Sequence, residues 1–511
     1  MTKNSTTKSQ DQLSKDDVEW HIKKAEEGDP VIQLLLGFWY MDGREVEQDY
    51  SKAAEWMLKS AEQGHEDAYY WVGYLHYYGK GVEQDYSKAA EWTLKSAELG
   101  HSNAQYMIGQ MYHAGRGVEQ DYAKATEWYF KSMEQGNPDA QFIIGCIYQQ
   151  GNLPERRDSE AISLFQASAN QGHVLAQYWL GVTYLDGIGV EKSLSLAIEW
   201  FTKAAEQGEA EAQLKLGLAY EEGEGVEQSY TQAAKWFLKA AEQGNAEAQF
   251  NIGSMYEAGK GVEQNYRQAL EWYLKAAKQE NSDAQNNIGI MYSDGIEVEQ
   301  DYSKALEWYL KAAEQGNAYA QYNIGRLYYF GQGLAQDYSQ ALKWCLKAAE
   351  QGYGNAQNDL GNMYNDGQGV AQDYSMAFEW YLKAAEQGNS RAQDNLGDLY
   401  YAGNGVEQDY VQAVDWYLQS AEQGDASGQF DMGHVLINGF GIKKDIKKAA
   451  EWFLKSAEQG NSAAQLVMGE LYFYGEGILK NHTEARKWYR RAAEQGREDA
   501  ILKLEELGVD F

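Results

Sequence analysis

Proline is nearly absent from this chain, with 3 among 511 residues, so long helical stretches run without the residue that breaks them. Cysteine is as scarce. Cys146 and Cys345 lie far apart along the chain, so a disulfide is not expected, which fits a reducing compartment. No apolar run is long enough to span a membrane. The opening stretch MTKNSTTKSQDQLSK lacks the apolar segment of a signal peptide. A cytoplasmic location is therefore expected. Basic residues are outnumbered, 44 Lys and Arg against 77 Asp and Glu, for a net charge of -33. That balance repels nucleic-acid backbones and anionic membranes, so neither nucleic acid nor direct membrane insertion is expected. Proteins or peptides with basic or mixed surfaces suit it better. Metal chemistry is also poorly supplied. None of the 8 histidines stands four residues from another, and no HExxH occurs.

Glycine and tryptophan, by contrast, are plentiful and regular. Trp recurs at 20, 56, 92, 128, 200, 236, 272, 308, 344, 380, 416, 452 and 488. Every gap is 36 residues or a multiple of it, with one missed step at Leu164. Glycines keep the same register from Gly37, Gly73, Gly109 and Gly145 to Gly469. A fixed period of this size is the signature of stacked helix pairs.

One unit, Asn245 to Glu280, shows how each pair is built. Asn245 is a candidate cap. Ala248, Ile252 and Met255 or Tyr256 then fall on one helical face. Gly253 sits in mid-helix, where glycine costs about 1 kcal/mol against alanine. Its return in every copy implies the close approach of a neighbouring helix. Gly259-Lys260-Gly261-Val262 stops the first helix and turns the chain. The second helix is expected from about Asn265 or Tyr266 to Gln279. It would bury Tyr266, Ala269, Leu270, Trp272 or Tyr273, and Ala276 or Ala277. Glu271 and Lys275 are placed for an i, i+4 ion pair. Trp is expected to fill the gap between repeats.

The expected layout is a disordered segment over 1–14, a capping helix over 15–28, thirteen repeats in one solenoid over 29–496, and a capping helix over 497–511. One unit, 137–172, is irregular. It carries Gln149-Gln150-Gly151-Asn152-Leu153-Pro154 where others have Gly-x-Gly, and Leu164 for Trp, which reads as a softening or bend.

The pattern Ala320, Ile324-Gly325, Tyr328, Gly331, Gly333, Asp337, Ala341, Trp344, Ala348-Ala349 and Gly352 resembles the Sel1-like repeat family, relatives of the tetratricopeptide repeats. The resemblance covers about residues 16–507. It implies an all-α, α/α superhelical solenoid of 36-residue helix-turn-helix units. It also implies a non-enzymatic adaptor or scaffold for protein assembly. The family motif is structural and brings no catalytic residue. Some members have been labelled β-lactamases, and no residues here suit that chemistry.

Residues that vary between copies point to where a partner binds. At the position of Asn251 the series runs Leu35, Trp71, Met107, Ile143, Trp179, Lys215, Asn251, Asn287, Asn323, Asp359, Asn395, Asp431, Val467. Three residues later it runs Phe38, Tyr74, Gln110, Cys146, Val182, Leu218, Ser254, Ile290, Arg326, Asn362, Asp398, His434, Glu470. The spacing puts both on one side of the helix, offset from the Ala248–Ile252 face. The candidate groove thus has an apolar half, Leu35, Phe38, Trp71, Tyr74, Met107 and Trp179. Its polar half is Asn251, Asn287, Asn323, Arg326, Asp359 and Asn395. An apolar groove holds a peptide through its side chains, and an amide ladder can bind an extended backbone. The competing account is that the aromatics pack between repeats and the amides are solvated or bonded to nearby backbone.

Other chemistry is poorly supported. The Gly-x-Gly turns follow helices and lack the third glycine of a dinucleotide site. Turns such as Asp366-Gly367-Gln368-Gly369 lack the ligands of a calcium loop. His76 reads as a packed neutral histidine, and both cysteines as ordinary buried thiols. His434 with Asp398 is a conceivable acid–histidine pair without an activated nucleophile. No cofactor or metal is expected. The alternatives to a scaffold are a regulatory subunit or atypical enzyme of the same family, or a self-associating rod. A monomer is expected, with self-association open.

Overall fold

The computed structural model describes residues 13–149 and 157–508. Among these there are 28 helices and no strand. Most of the segment expected to be disordered, and the irregular turn after Gln149, lie outside the described residues. Contacts group the chain into two compact units. One is 1–248 with 260–262, and the other is 249–259 with 263–511. Within each unit a helix packs chiefly on its predecessor and its successor in the chain.

Local chemistry sets the boundaries of each helix pair. In the unit that follows Gly388, the Asn389 side chain accepts from the Ala392 N–H and opens the first helix, Ser390–Ala402. Gly403 closes it in the left-handed region at φ 76°. Asp409 then accepts from the Val411 and Gln412 N–H groups and opens the second helix, Tyr410–Glu422. The chain starts the same way, with Ser14 and Asp17 forming a capping box on the helix Lys15–Glu26. In the unit used above as the example, the second helix runs Tyr266–Ala277, two residues shorter than expected.

The mid-helix glycine has a specific partner. It lies against the side chain that follows the repeated Trp. A Cβ on Gly361 would lie 2.5 Å from Cδ1 of Tyr381, and one on Gly253 would lie 2.8 Å from Cδ1 of Tyr273. Of the pair Trp272 or Tyr273, then, Tyr273 is fully buried and Trp272 half-buried. Met255 likewise takes the core position in preference to Tyr256. Trp reaches back to the preceding repeat, as expected: Trp236 joins Ala197, Phe201 and Leu216, and Trp380 joins Ala348, Ala356 and Leu360. Burying a side chain of this kind contributes about 1.5–3 kcal/mol.

Lysines cover the outer faces of these indoles. Lys275 Nζ sits 3.5 Å from the Trp272 ring centroid. The expected Glu271–Lys275 pair is not the one that forms. Glu271 meets Arg267 at 3.5 Å instead, an exposed contact worth at most about 1 kcal/mol. The expected pairing does occur in sister repeats, as in Lys59–Glu55 at 2.7 Å.

A polar stitch runs beside the apolar core. Gln393, 4% exposed, donates to the Ala385 carbonyl at 3.2 Å and accepts from Gln423 Nε2 at 2.6 Å. Equivalent glutamines bond alike in both units, for instance Gln207 to Gln177 and Gln351 to Gln321. Every polar atom of these buried amides needs such a partner.

Candidate partner-binding surface

On the first helix of most repeats the alanine, the residue four on and the residue seven on face the core. Ala392, Leu396 and Leu399 are at most 3% exposed. Asn395 and Asp398 lie three and six residues past Ala392. That turns them toward the open side, where most of both candidate series is half-buried or exposed.

In the N-terminal unit this line is aromatic. Phe38 and Trp71 meet edge to face at 5.1 Å and Trp71 and Tyr74 at 5.4 Å, while Tyr74 and Tyr78 lie tilted at 4.6 Å. Leu35, Phe38, Trp71 and Tyr74 are half-buried, and Trp179 is 38% exposed. Lys80 closes the cluster, donating to the Tyr74 hydroxyl at 3.3 Å with its Nζ 5.3 Å from that ring's centroid. Trp71 also packs on the core around Val72 and Leu75, so it is both rim and wall. Met107 is buried and its sulfur faces the Thr93 hydroxyl at 3.8 Å.

In the C-terminal unit the same line is a network of amides and acids bonded across repeats. Asn323 donates to Asn286 at 3.0 Å, and Asn395 donates to Asn358 at 3.0 Å and to Asn362 at 3.3 Å. Asp359 accepts from the Tyr322 hydroxyl at 2.9 Å and from Asn358 at 3.2 Å. Asn287 donates to the Tyr273 hydroxyl at 3.1 Å and accepts from Asn286 at 3.2 Å. Asn251 keeps its Nδ2 buried without a partner among the described residues. Much of the amides' bonding capacity is therefore spent between neighbouring repeats, on side chains and not on backbone.

One neighbouring position was passed over in the sequence. The residue just before the Asn251 series is a ring in many repeats, and it packs on the ring opposite the glycine. Phe250 lies 5.8 Å from Tyr273, and Phe142 lies 5.8 Å from Phe165. Asn286, Asn358 and Asp394 replace that ring in the C-terminal unit, and all three are buried. The signal was visible as the polar pairs Asn286-Asn287, Asn358-Asp359 and Asp394-Asn395.

Asp394 brings a carboxyl into the buried position. It faces Asp431, and its Oδ1 has no hydrogen-bond partner. Burial first, and then the Asp431 carboxylate, hold Asp394 well above the usual range. Burial followed by Asp398 pushes Asp431 up as well. Both carboxyls are thus held toward the protonated form, as a coupled pair. Asp398, open to solvent on one side, is raised by burial and partly relieved by the Tyr417 hydroxyl at 2.7 Å.

The other titratable candidates stand apart from these acids. His434 makes no ion pair with Asp398 among the described residues; its ring lies 6.0 Å from Tyr401, and burial lowers its pKa. His76 is packed, with Nδ1 lacking a partner. Burial pushes the Cys146 thiol up to about 11 and that of Cys345 up to about 12, the opposite of an activated nucleophile. Among the described residues no group of three or more His, Cys, Asp or Glu is placed to hold a metal, and no helix is long and apolar enough to cross a membrane.

Comparison with known proteins places this architecture. The Sel1 repeat model matches thirteen consecutive segments from 32–65 to 462–496. A solved structure of a protective antigen from uropathogenic Escherichia coli strains, displaying an SLR fold, is 33% identical. Its match covers 96% of this chain and 97% of that one, with a TM-score of 0.56. A Sel1 repeat protein from Oxalobacter formigenes is 38% identical over 48% of this chain and 96% of its own, with a TM-score of 0.45. No curated protein matches the chain.

Proposed function

Since the chain belongs to the Sel1 repeat family, we propose that it is a non-enzymatic scaffold that holds a partner protein or peptide along the open side of its first helices. Repeat solenoids of this kind commonly serve protein–protein interaction, and the fold is typically non-catalytic. The observation that carries the reading is the half-buried aromatic line Phe38, Trp71 and Tyr74, with Lys80 against it. Aromatic side chains at a rim give an incoming chain large contact area at little cost in lost side-chain freedom. The net charge of -33 favours a partner with a basic surface.

The test compares the wild-type chain with a Trp71→Ser, Trp179→Ser double variant in capture from native lysate. A partner retained by the wild type and lost by a variant of unchanged melting supports the reading. Loss of melting together with binding assigns both indoles to the core. No differential partner removes the N-terminal line as the binding surface.

A further inference from the structure

The repeat centred on Gly325 lacks a ring that most of its sisters have. Opposite the glycine of each repeat stands Tyr129, Phe165, Phe201, Phe237, Tyr273, Tyr309, Tyr381, Tyr417, Phe453 or Tyr489 in ten cases, and here it is Cys345. Where the ring is a tyrosine, its hydroxyl can reach the residue nineteen positions earlier. Tyr381 donates to Asn362 at 2.7 Å, and Tyr417 donates to Asp398 at 2.7 Å. The residue nineteen positions before Cys345 is Arg326, a cation where those two sisters have an acceptor. The missing ring and the exchanged acceptor thus meet in one place. A cavity of about 500 Å³ lies there, lined by Cys345, Arg326, Tyr322, Phe330, Asp359 and a second cation, Arg391.

The electrostatics of the lining suit an anion. The chain carries 44 basic residues against 77 acidic ones, yet two guanidinium groups line one cavity. Arg326 lies over two rings, 5.9 Å from the Tyr322 centroid and 5.7 Å from that of Phe330. Neither arginine is in an ion pair among the described residues. The one carboxylate in the lining, Asp359, already accepts from Tyr322 and Asn358.

We propose that this cavity binds an aromatic group bearing a carboxylate, its ring in the space a tyrosine would fill and its charge on Arg326 and Arg391. A small aromatic acid and the chain end of a polypeptide finishing in an aromatic residue share that chemistry. The planar guanidinium fork matches a carboxylate, and the apolar walls take the ring. The inference rests on reading the open side of the first helices as the binding face, but it needs no identified partner.

The experiment is a calorimetric titration of the full chain with four probes: phenylacetate, its neutral amide phenylacetamide, the dipeptide N-acetyl-Gly-Phe as the free acid, and the same dipeptide amidated. Each acid is expected to bind at least about tenfold more tightly than its amide, the range for a hydrogen bond to a charged group. Arg326→Gln, at an exposed side chain, should remove that preference without changing melting. Cys345→Phe, which restores the ring found in four sister repeats, should block both acids. Tighter binding of the dipeptide acid than of phenylacetate assigns the site to a chain end, and the reverse order to a small acid. Equal affinity for acid and amide overturns the proposal, as does full acid binding by folded Cys345→Phe or by Arg326→Gln. Because the probes replace the partner, these failures are separate from any failure of lysate capture.

Discussion

In the N-terminal unit, Trp71 and Trp179 stand three residues past the core alanine of their helices, and Leu35 three past Ile32. In the C-terminal unit Asn287, Asn323, Asp359 and Asn395 stand at the same place. The helices beneath are alike: the same glycine against the residue after Trp, the same buried alanines, the same glutamine stitch. The difference shows that the packing of the repeat leaves this face free. A solenoid whose stability sits in its repeated contacts can carry an aromatic line in one unit and a bonded polar network in the other.

The largest effect should come from pressing on the shared packing where the units differ in what can yield. Gly37 faces Met57, whose Cγ would be 2.6 Å from an added Cβ, and Gly361 faces the stiff ring of Tyr381 at 2.5 Å. Gly361→Ala should cost about 3 kcal/mol, the upper range for overpacking. Gly37→Ala should cost about 1 kcal/mol or less, because Met adapts and alanine favours the helix. Hydrogen exchange in the flanking helices reads both, and equal costs would remove the distinction. Next comes the binding contrast. Trp71→Ser with Trp179→Ser should weaken partner binding by about 2 kcal/mol or more, as for a central aromatic anchor. Asn287→Ala should change it far less, since that amide is already bonded to Tyr273 and Asn286.

The acids make the C-terminal unit pH-sensitive. Asp394 and Asp431 are both raised above the usual 3.8. The folded state therefore keeps protons that the unfolded state releases. Their stabilising contribution is whole below that value and is lost as pH rises through the range in which the folded pair titrates. Urea unfolding, followed at amides of the helices Ser390–Ala402 and Ala426–Asn438, should show lower stability at pH 8 than at pH 5. Asp394→Asn, which donates without charge, should flatten that slope and add about 1–3 kcal/mol at pH 8. A slope unchanged by the substitution would show that the pair is not its source. A smaller effect is expected from Asn395→Ala, which loses the bonds to Asn358 and Asn362 and should cost about 1 kcal/mol. No change in exchange protection over residues 390–402 would mark that network as idle.

Much of the fold was legible because its signals act within a few residues. Asn389 and Asp409 cap helices through N–H groups two or three positions on, and Gly403 ends one through its own φ. The candidate line was legible as a line, since helical spacing alone places Trp71 with Tyr74 and Asn395 with Asp398. What it contacts was not. Asn323 finds Asn286, and Asp394 finds Asp431, at a distance of 37 residues that helix period does not specify. The cavity beside Cys345 was hidden for a related reason: an exchange of ring for thiol becomes a space only when Gly325, Arg326 and Arg391 are brought around it.

By itself, then, the sequence determined the helix pair, its 36-residue period and the thirteen copies, because caps, glycine stops and apolar spacing are local and recur in register in most units. Only the tertiary structure decided that Tyr273 and not Trp272 meets the glycine, that the amide ladder is bonded from repeat to repeat, and that one absent ring leaves a cationic cavity. Adjacent positions on a helix point about 100° apart, and which of them is buried depends on the helix packed against it.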